Sequence, residues 1–340
     1  MPIVRFSKPS IAVIKNKTSF FEENDRHLNY VREVNNFYLQ QPQRKVCKTC
    51  GTPLDKKDLT VHKVPYSVCK NCGHLNGMHE DTNEFANFLY SQSGGENYSK
   101  NYKNDYLERV EDIYRPKVQF LIEVLNQEKI SDFSVTDLGC GGGHFVKACE
   151  LEQIEAIGFD TNQQLIDLGN TILESNKVYY EDLSKIDELI LQNQNDVLSL
   201  VGVLEHLLEP ISAIEAFNKS SATYLYLQVP LFSLSVLLES MHPDVFPRQL
   251  NAGHTHLYTD SSIDYICKEH RLEKVGEWWF GTDMVDLFRH LHIKTESDSD
   301  IKDEMISNFI GDFIDPLQTI LDQKKVCSGV NMVLKKNKKI

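Results

Sequence analysis

Three glycines alternate along one short stretch of the sequence, and an acid stands two residues before the first of them. These residues are Asp137, Gly139, Gly141 and Gly143. Glycines at a strand-to-helix turn let the chain bend sharply and let a ligand approach the backbone, and the N–H groups at a helix start favour a carboxylate or a phosphate. The sixth position counted from Gly139 is His144, so the G-x-G-x-x-G fingerprint of dinucleotide enzymes is not met. The acid at Asp137 suits a cationic group on the ligand.

A second carboxylate, Asp160, ends the next apolar run and follows Gly139 by 21 residues. At this distance from a glycine loop, a carboxylate can accept hydrogen bonds from both hydroxyls of a ribose. The same side chain could instead be the N-cap of the helix that follows. With the loop before it, the acid indicates a site for a nucleotide-like ligand.

The segment Val135–Gly143 resembles motif I of class I S-adenosylmethionine-dependent methyltransferases, in which hydrophobic residues precede D-x-G-x-G-x-G. The resemblance implies that Asp137 and Gly139 lie near the methionine end of the cofactor and that Asp160 binds the ribose. It also implies adenine contacts from Asp182 and the Leu183 backbone, and a cleft lined by residues 196–210. The complete set of predicted cofactor-binding residues is Asp137, Gly139, Cys140, Gly141, Gly143, Asp160, Asp182, Leu183 and Val201.

Four cysteines form two C-x-x-C pairs that are 18 residues apart, namely Cys47, Cys50, Cys69 and Cys72. This spacing falls within the range of zinc-binding cysteine pairs. Four thiolates would give a closed tetrahedral site with no open position for water, which is typical of structural zinc. A redox-active dithiol is the alternative.

Methyl transfer requires a group that aligns the acceptor and removes its proton, and histidine is readily tuned for this near neutral pH. The predicted catalytic residues are His256, His206 and His254, each of which could instead serve only as a local hydrogen-bonding group. Residues 253–259 resemble the H-E-H-L-x-Y-F-S segment of nucleotide-sugar C-methyltransferases, which also begin with a four-cysteine zinc module. That resemblance implies that His256 is the general base. The glutamate of that family is Thr255 here, so the methylated atom stays open between carbon, oxygen and nitrogen.

Short apolar strands alternate with amphipathic helices from residue 116 onward, which predicts a doubly wound, Rossmann-like methyltransferase sheet of the α/β class. We expect seven strands, one more than a plain six-stranded dinucleotide fold has. They are placed at 134–138, 155–159, 177–180, 197–201, 224–229, 274–279 and 331–334.

The predicted domain organisation has four parts. These are an N-terminal helical extension (1–45), a zinc-ribbon module (46–80), a connecting lid segment (81–115) and the class I methyltransferase domain (116–340), which includes a helical insertion (281–325). Three tyrosines, Tyr98, Tyr102 and Tyr106, have a spacing that suits either one packed helix face or a lid over the substrate.

The formal net charge of −13 argues against a protein whose main task is to bind nucleic acid, because phosphate contacts need Lys and Arg. No apolar run reaches the ~20 residues of a spanning helix, and the scattered remaining cysteines suit a reducing compartment. We therefore expect a cytoplasmic enzyme with S-adenosylmethionine and structural zinc as cofactors. The expected acceptor is a small molecule, namely a nucleotide-linked sugar or a surface-polysaccharide precursor. The alternatives are an RNA or protein methyltransferase that recognises its substrate through the zinc ribbon, and a non-catalytic zinc-ribbon scaffold.

Overall fold

The computed structural model of the chain describes residues 1–10, 23–89, 105–251, 253–298 and 311–337. Twelve strands are found in this part of the chain. They are β1 (Ile3–Phe6), β2 (Leu59–Val61), β3 (Val64–Val68), β4 (Leu75–Gly77), β5 (Ser134–Leu138), β6 (Glu155–Asp160), β7 (Val178–Tyr180), β8 (Val197–Val201), β9 (Tyr224–Pro230), β10 (His256–Leu257), β11 (Leu272–Phe280) and β12 (Gly329–Lys336).

The α-helices are numbered in chain order. They are α1 (Asn24–Tyr38), α2 (Asn83–Asn87), α3 (Tyr106–Arg109), α4 (Arg115–Gln127), α5 (His144–Leu151), α6 (Gln163–Leu173), α7 (Ile186–Gln192), α8 (Pro210–Lys219), α9 (Leu234–Met241), α10 (Asp260–Glu269), α11 (Asp283–Asp298) and α12 (Ile314–Gln323). A π-helical turn (Val110–Tyr114) joins α3 to α4, and 3-10 turns occur at Leu183–Lys185, Leu204–His206 and Gly311–Phe313. Across the described residues, every helix is too short or too polar to cross a lipid bilayer.

The larger sheet has the strand order β1-β11-β12-β9-β8-β5-β6-β7. The five strands from β9 to β7 pair in parallel, and β12 is antiparallel to both of its neighbours. Helices connect the parallel strands, as the right-handed crossover of such sheets requires. The prediction of an α/β, Rossmann-like sheet is therefore confirmed.

The sequence predicts seven strands in this sheet, and the structure has eight. The additional strand, β1, lies at the edge and pairs in parallel with β11, with Ile3 opposite Gly276 and Phe6 opposite Trp279. Residues 1–45, expected as a helical extension, thus also contain a strand. Four residues carry too little alternation to predict a strand, and the partner that orders β1 is about 270 residues away in the chain.

Two hydrophobic cores cover the two faces of the sheet. One face packs against α7, α8 and α10, whose apolar side chains meet those of β8, β9 and β12. The other face packs against α4, α5 and α6. Burial of both faces explains why the central strands are nearly continuous apolar runs, and it leaves the carboxyl ends of β5, β6 and β8 to form a ligand cleft.

A second, four-stranded sheet has the order β10-β4-β3-β2 and is antiparallel throughout. Strand β10 is distant in sequence from the other three strands. It joins them because Leu257 pairs with Leu75 and His256 pairs with Asn76. Apolar side chains of α1, α9 and this sheet form a third core. The four-cysteine module is therefore joined by backbone hydrogen bonds to the segment that follows β9 of the larger sheet.

Candidate active site

The glycine loop follows β5 and ends at Gly143, which caps the N-terminus of α5. Gly139, Gly141 and Gly143 have φ angles of +70°, +54° and +71°, a region that residues with a side chain rarely adopt. A Cβ atom at Gly139 would lie 2.6 Å from Val203 Cγ2. The nearest atom to a Cβ at Gly141 would instead be Leu165 Cδ1 at 3.9 Å, so this face of the loop is open to a ligand.

Asp160 lies at the end of β6 and is hydrogen-bonded to the loop itself. Its Oδ2 accepts the Gly141 N–H at 2.7 Å, and its Oδ1 accepts the Asn162 N–H at 2.8 Å. The N-cap of α6 is Asn162, whose side chain accepts the Leu165 N–H, so the interpretation of Asp160 as that cap is wrong. Each carboxylate oxygen can accept a second hydrogen bond, so both can accept a ribose hydroxyl.

Asp137 is buried at the end of β5, behind the glycine loop. Ser199 Oγ donates a hydrogen bond to its carboxylate at 2.6 Å. Burial raises the pKa of Asp137 to about 7, although the positive charge of Lys117 acts in the opposite direction. A buried carboxylate of this kind is stabilised by a nearby cation, which fits a ligand with an ammonium group.

The two predicted adenine contacts lie beyond β7. Asp182 is exposed, and its carboxylate accepts the Ser184 N–H at 2.9 Å, a bond that lowers the pKa of Asp182. Leu183 is half-buried and begins the 3-10 turn. The carboxylate of Asp182 therefore serves locally as a cap, and adenine recognition by either residue stays a prediction.

Cys140 and Val201 have different positions relative to the loop. The side chain of Cys140 faces the sheet, because a Cβ atom on Gly158 would be 2.6 Å from its Sγ. Its N–H donates to the Phe159 carbonyl at 3.1 Å. Val201 is half-buried at the end of β8. A contact between Cys140 and a ligand would therefore have to come from its backbone, and both roles stay predictions.

An aromatic cluster beside the loop was not predicted. The His144 ring is buried and stacks on Tyr106 at a centroid distance of 4.1 Å and on Tyr114 at 5.1 Å. Tyr106 Oη donates to the Gly142 carbonyl at 2.7 Å. Tyr106 therefore packs against the loop and supports its conformation, whereas the other two tyrosines of the predicted cluster, at 98 and 102, lie outside the described residues.

The four cysteines of the two pairs lie together, with all four Sγ atoms within 4.8 Å of one another. Cys47 Sγ is 3.6 Å from Cys72 Sγ, and Cys50 Sγ is 3.4 Å from Cys69 Sγ. These separations are far too long for disulfides. They are close to the ~3.8 Å between thiolates that tetrahedral coordination at a Zn–S distance of about 2.3 Å requires. The donor set and its geometry therefore fit zinc, and Asn76 Nδ2 donates a further hydrogen bond to Cys47 Sγ at 3.5 Å.

Glu205, His206 and His254 form a cluster next to the glycine loop, and each has one ligand-type atom within 4.8 Å of the others. The cluster is adjacent to the loop because the turn that carries Glu205 and His206 directly follows Val203, which packs on Gly139. His206 Nδ1 is 3.1 Å from the Gly253 carbonyl oxygen. His254 Nδ1 is likewise 2.7 Å from the carbonyl oxygen of residue 249.

The electrostatics of this cluster follow from its burial. Glu205 is only 4% exposed, and burial raises the pKa of its carboxyl to about 8. Burial, together with the neighbouring His254, lowers the pKa of His206 to about 3, so the ring is neutral at physiological pH. Glu205 lies within residues 196–210, which are predicted to line the cleft, but the sequence indicates no role of its own for this acid. Local sequence patterns could not predict this cluster, because His206 and His254 are distant in sequence and the burial of the acid depends on the fold.

His256 lies in β10, and its ring is 1% exposed. Its Nδ1 is 2.9 Å from Nε2 of His74, which belongs to the four-cysteine module. Burial lowers the pKa of both rings, that of His74 to about 3. The structure thus places two predicted histidines, His206 and His254, in one cluster with Glu205, and places the third in a buried pair with His74.

Residues 106–277 match the protein family described as "Methyltransferase domain". No curated protein matches the chain. Similar solved structures include a SAM-dependent methyltransferase from Archaeoglobus fulgidus, at 20% identity over 68% of this chain and 100% of that chain, with a TM-score of 0.43. A SAM-dependent methyltransferase from Geobacter sulfurreducens in complex with S-adenosyl-L-homocysteine has 12% identity over 65% and 91%, with a TM-score of 0.40. Magnesium protoporphyrin IX methyltransferase from Synechocystis PCC 6803, with bound SAH, has 12% identity over 71% and 98%, with a TM-score of 0.42.

The family match extends over half of the chain and includes the glycine loop, Asp137, Asp160 and His206. The loop and the two acids form an open, acid-flanked turn at the carboxyl edge of a parallel sheet. The chain therefore belongs to the methyltransferase domain family and is an S-adenosylmethionine-dependent methyltransferase.

Proposed function

We propose that this methyltransferase acts on a small-molecule acceptor, which it binds between the glycine loop and the four-cysteine module. When bound, S-adenosylmethionine supplies an electrophilic methyl group on its sulfonium. The observation that carries the proposal is that Glu205, His206 and His254 cluster at the turn that directly follows Val203, the residue that packs on Gly139. An acceptor bound at this cluster would lie next to the methyl donor, and alignment of this kind accounts for much of the rate of such displacements.

The cluster is suited to orient the reacting atom of the acceptor and to lower the cost of removing its proton. His206 is the residue of the cluster best placed to contact the acceptor, because its side chain is 28% exposed. The Gly253 carbonyl can only accept a hydrogen bond, so His206 Nδ1 carries the proton and Nε2 carries the lone pair. A neutral ring with its lone pair on Nε2 can bind either a proton or a metal ion, and both lower the cost of deprotonating the acceptor.

For His256, the geometry favours a positioning role over the general-base role that the sequence predicts. An acceptor would have to reach a ring that is 1% exposed and hydrogen-bonded to His74. The His74–His256 pair and the pairing of β10 with β4 instead support the segment that carries His254. We therefore propose that His256 supports, from behind, the segment that carries His254, and its role as base stays a prediction.

The proposed acceptor is a nucleotide-linked sugar or a surface-polysaccharide precursor. Support comes from the likeness of residues 253–259 to the histidine segment of nucleotide-sugar C-methyltransferases and from the four-cysteine module that both share. An RNA substrate is disfavoured by the net charge of −13. It is also disfavoured because two cations at the module are buried in ion pairs. Arg44, just before the module, pairs with Glu80 and Asp81, and Lys48 pairs with Asp81.

We further propose that residues 46–80 hold one structural zinc ion and that residues 81–115 act as a lid. The described ends of the lid segment support this. Leu89 Cδ2 would be 3.7 Å from a Cβ on Gly253, beside the histidine cluster, and Tyr106 is hydrogen-bonded to the glycine loop. All eight cysteines lie outside disulfides, which supports a cytoplasmic location.

A panel of acceptors tests the proposal. The full-length protein, incubated with S-adenosylmethionine and each acceptor, should release S-adenosylhomocysteine with at least one nucleotide sugar and not with RNA or peptides. On that acceptor, His206→Asn should lower kcat by about 100-fold or more, since positioned proton transfer contributes a factor of this size. Release with RNA or peptides alone, or full activity of His206→Asn, would contradict the proposal.

A further inference from the structure

We propose that Glu205, His206 and His254 bind a divalent transition-metal ion, of the class to which zinc and cobalt belong, beside the methyl donor. This inference rests on the proposed function and deepens it. The ion would take the Nε2 lone pair of His206 in place of the acceptor's proton, and by binding the reacting atom it would let that proton pass to water. The site is separate from the four-cysteine cluster, which is closed.

The donor set is the first reason. Two imidazoles and one carboxylate form the protein ligand set of several catalytic zinc sites and of other transition-metal sites, in which the remaining positions stay open. Mg²⁺ and Ca²⁺ are disfavoured, because they prefer sites made of oxygen ligands alone. The three ligand-type atoms already lie within 4.8 Å of one another.

The orientation of the rings is the second reason. Both His206 and His254 point Nδ1 at a backbone carbonyl oxygen, at 3.1 and 2.7 Å, so both donate from Nδ1 and present the lone pair on Nε2. Metal-binding histidines are generally fixed in this way by a hydrogen bond from the other ring nitrogen. Two histidines from separate segments thus present the same tautomer at one place, and carbonyl groups of residues 249–253 fix both rings.

The carboxylate is the third reason. Glu205 is 4% exposed, and its Oε2 is buried with no hydrogen-bond partner among the residues that the structure describes. A buried carboxylate oxygen without a donor is costly unless a cation or a proton compensates it. A metal ion would provide that compensation.

The required movement is small. Glu205 Oε1 and His206 Nε2 are 4.0 Å apart, which is too long for a hydrogen bond. Tetrahedral ligands at metal distances of about 2.0–2.1 Å stand roughly 3.3 Å apart. Closure by about 1 Å, within the reach of side-chain rotation, would complete the site and leave an open position for an oxygen or nitrogen atom of the acceptor.

Cobalt binding tests the inference. Full-length protein is first treated with a mild chelator until one zinc ion per chain remains, and Co²⁺ is then added by calorimetric titration while the visible spectrum is recorded. We expect one equivalent of Co²⁺ to bind, with ligand-field bands and without a sulfur-to-cobalt charge-transfer band. Glu205→Gln and His254→Ala should each weaken this binding at least tenfold, and the exposed acid variant Glu209→Gln should bind as the wild type does.

Two results would overturn the inference. The first is the absence of Co²⁺ binding beyond the zinc already present; a sulfur charge-transfer band counts as this result, because it reports exchange at the cysteines. The second is unchanged Co²⁺ binding in both ligand variants. Titration with S-adenosylhomocysteine separates this failure from that of the proposed function. If the wild type binds S-adenosylhomocysteine and transfers methyl groups but takes up no Co²⁺, only the proposed metal site is wrong. Each variant must bind S-adenosylhomocysteine as the wild type does to count as folded.

Discussion

Replacement of Cys69 by serine should release the zinc ion and abolish methyl transfer, while the protein still binds S-adenosylhomocysteine. Cys69 is one of four thiols whose mutual distances fit a tetrahedral zinc site, and a hydroxyl does not replace a thiolate ligand. Because metal binding and folding are coupled in such small modules, the β2–β4 region should lose its order. Strand β10 would then lose its pairing partner, β4. Strand β10 carries His256 and follows His254 in the chain.

The expected loss of turnover is about 100-fold or more, since displacement of a positioning element by an ångström has effects of this size. Metal analysis should find one zinc per chain in the wild type and almost none in Cys69→Ser. A matched control is Cys267→Ala, which removes a buried thiol of the sheet core and should retain the zinc. A fully active Cys69→Ser protein without zinc would refute the role assigned to the module.

Replacement of Asp160 by alanine should weaken binding of S-adenosylhomocysteine by about 100-fold or more. The carboxylate lies against Gly141 and can accept hydrogen bonds from both ribose hydroxyls. Hydrogen bonds to a charged group contribute about 1.5–3 kcal/mol each, and two of them correspond to at least two orders of magnitude in Kd. The variant also removes the acceptor of the Gly141 N–H, which would loosen the loop itself.

Isothermal calorimetry measures this effect directly. The control is Asp167→Ala, the same truncation at an exposed position on α6, where the side chain accepts only a local hydrogen bond from Gln163. Its Kd should match that of the wild type. Equal affinity of Asp160→Ala and the wild type would show that the ribose is bound elsewhere.

The parts of the site that lie within one segment could be predicted from the sequence. The glycine loop is such a part, because its three positive φ angles and its acid are local properties of residues 137–143. The pairing of the cysteines is another, since their spacing alone indicates a zinc knuckle. The order of strands and helices also follows from local periodicity.

The parts that depend on distant contacts could not be predicted in this way. Strand β1 is ordered by β11, and the third histidine of the predicted set is buried because β10 pairs with β4. Likewise, Glu205 becomes notable only through its burial and its nearness to His254, which is 49 residues further along the chain. Pairings of this kind depend on tertiary structure, which overrides local propensity.

The most direct test of the central claim is a calorimetric titration of the wild-type protein with S-adenosylhomocysteine. We predict saturable binding of one molecule per chain, because the loop is open at Gly141 and flanked by Asp137 and Asp160. The absence of binding to the folded, zinc-containing protein would contradict the assignment of this site to the methyl donor.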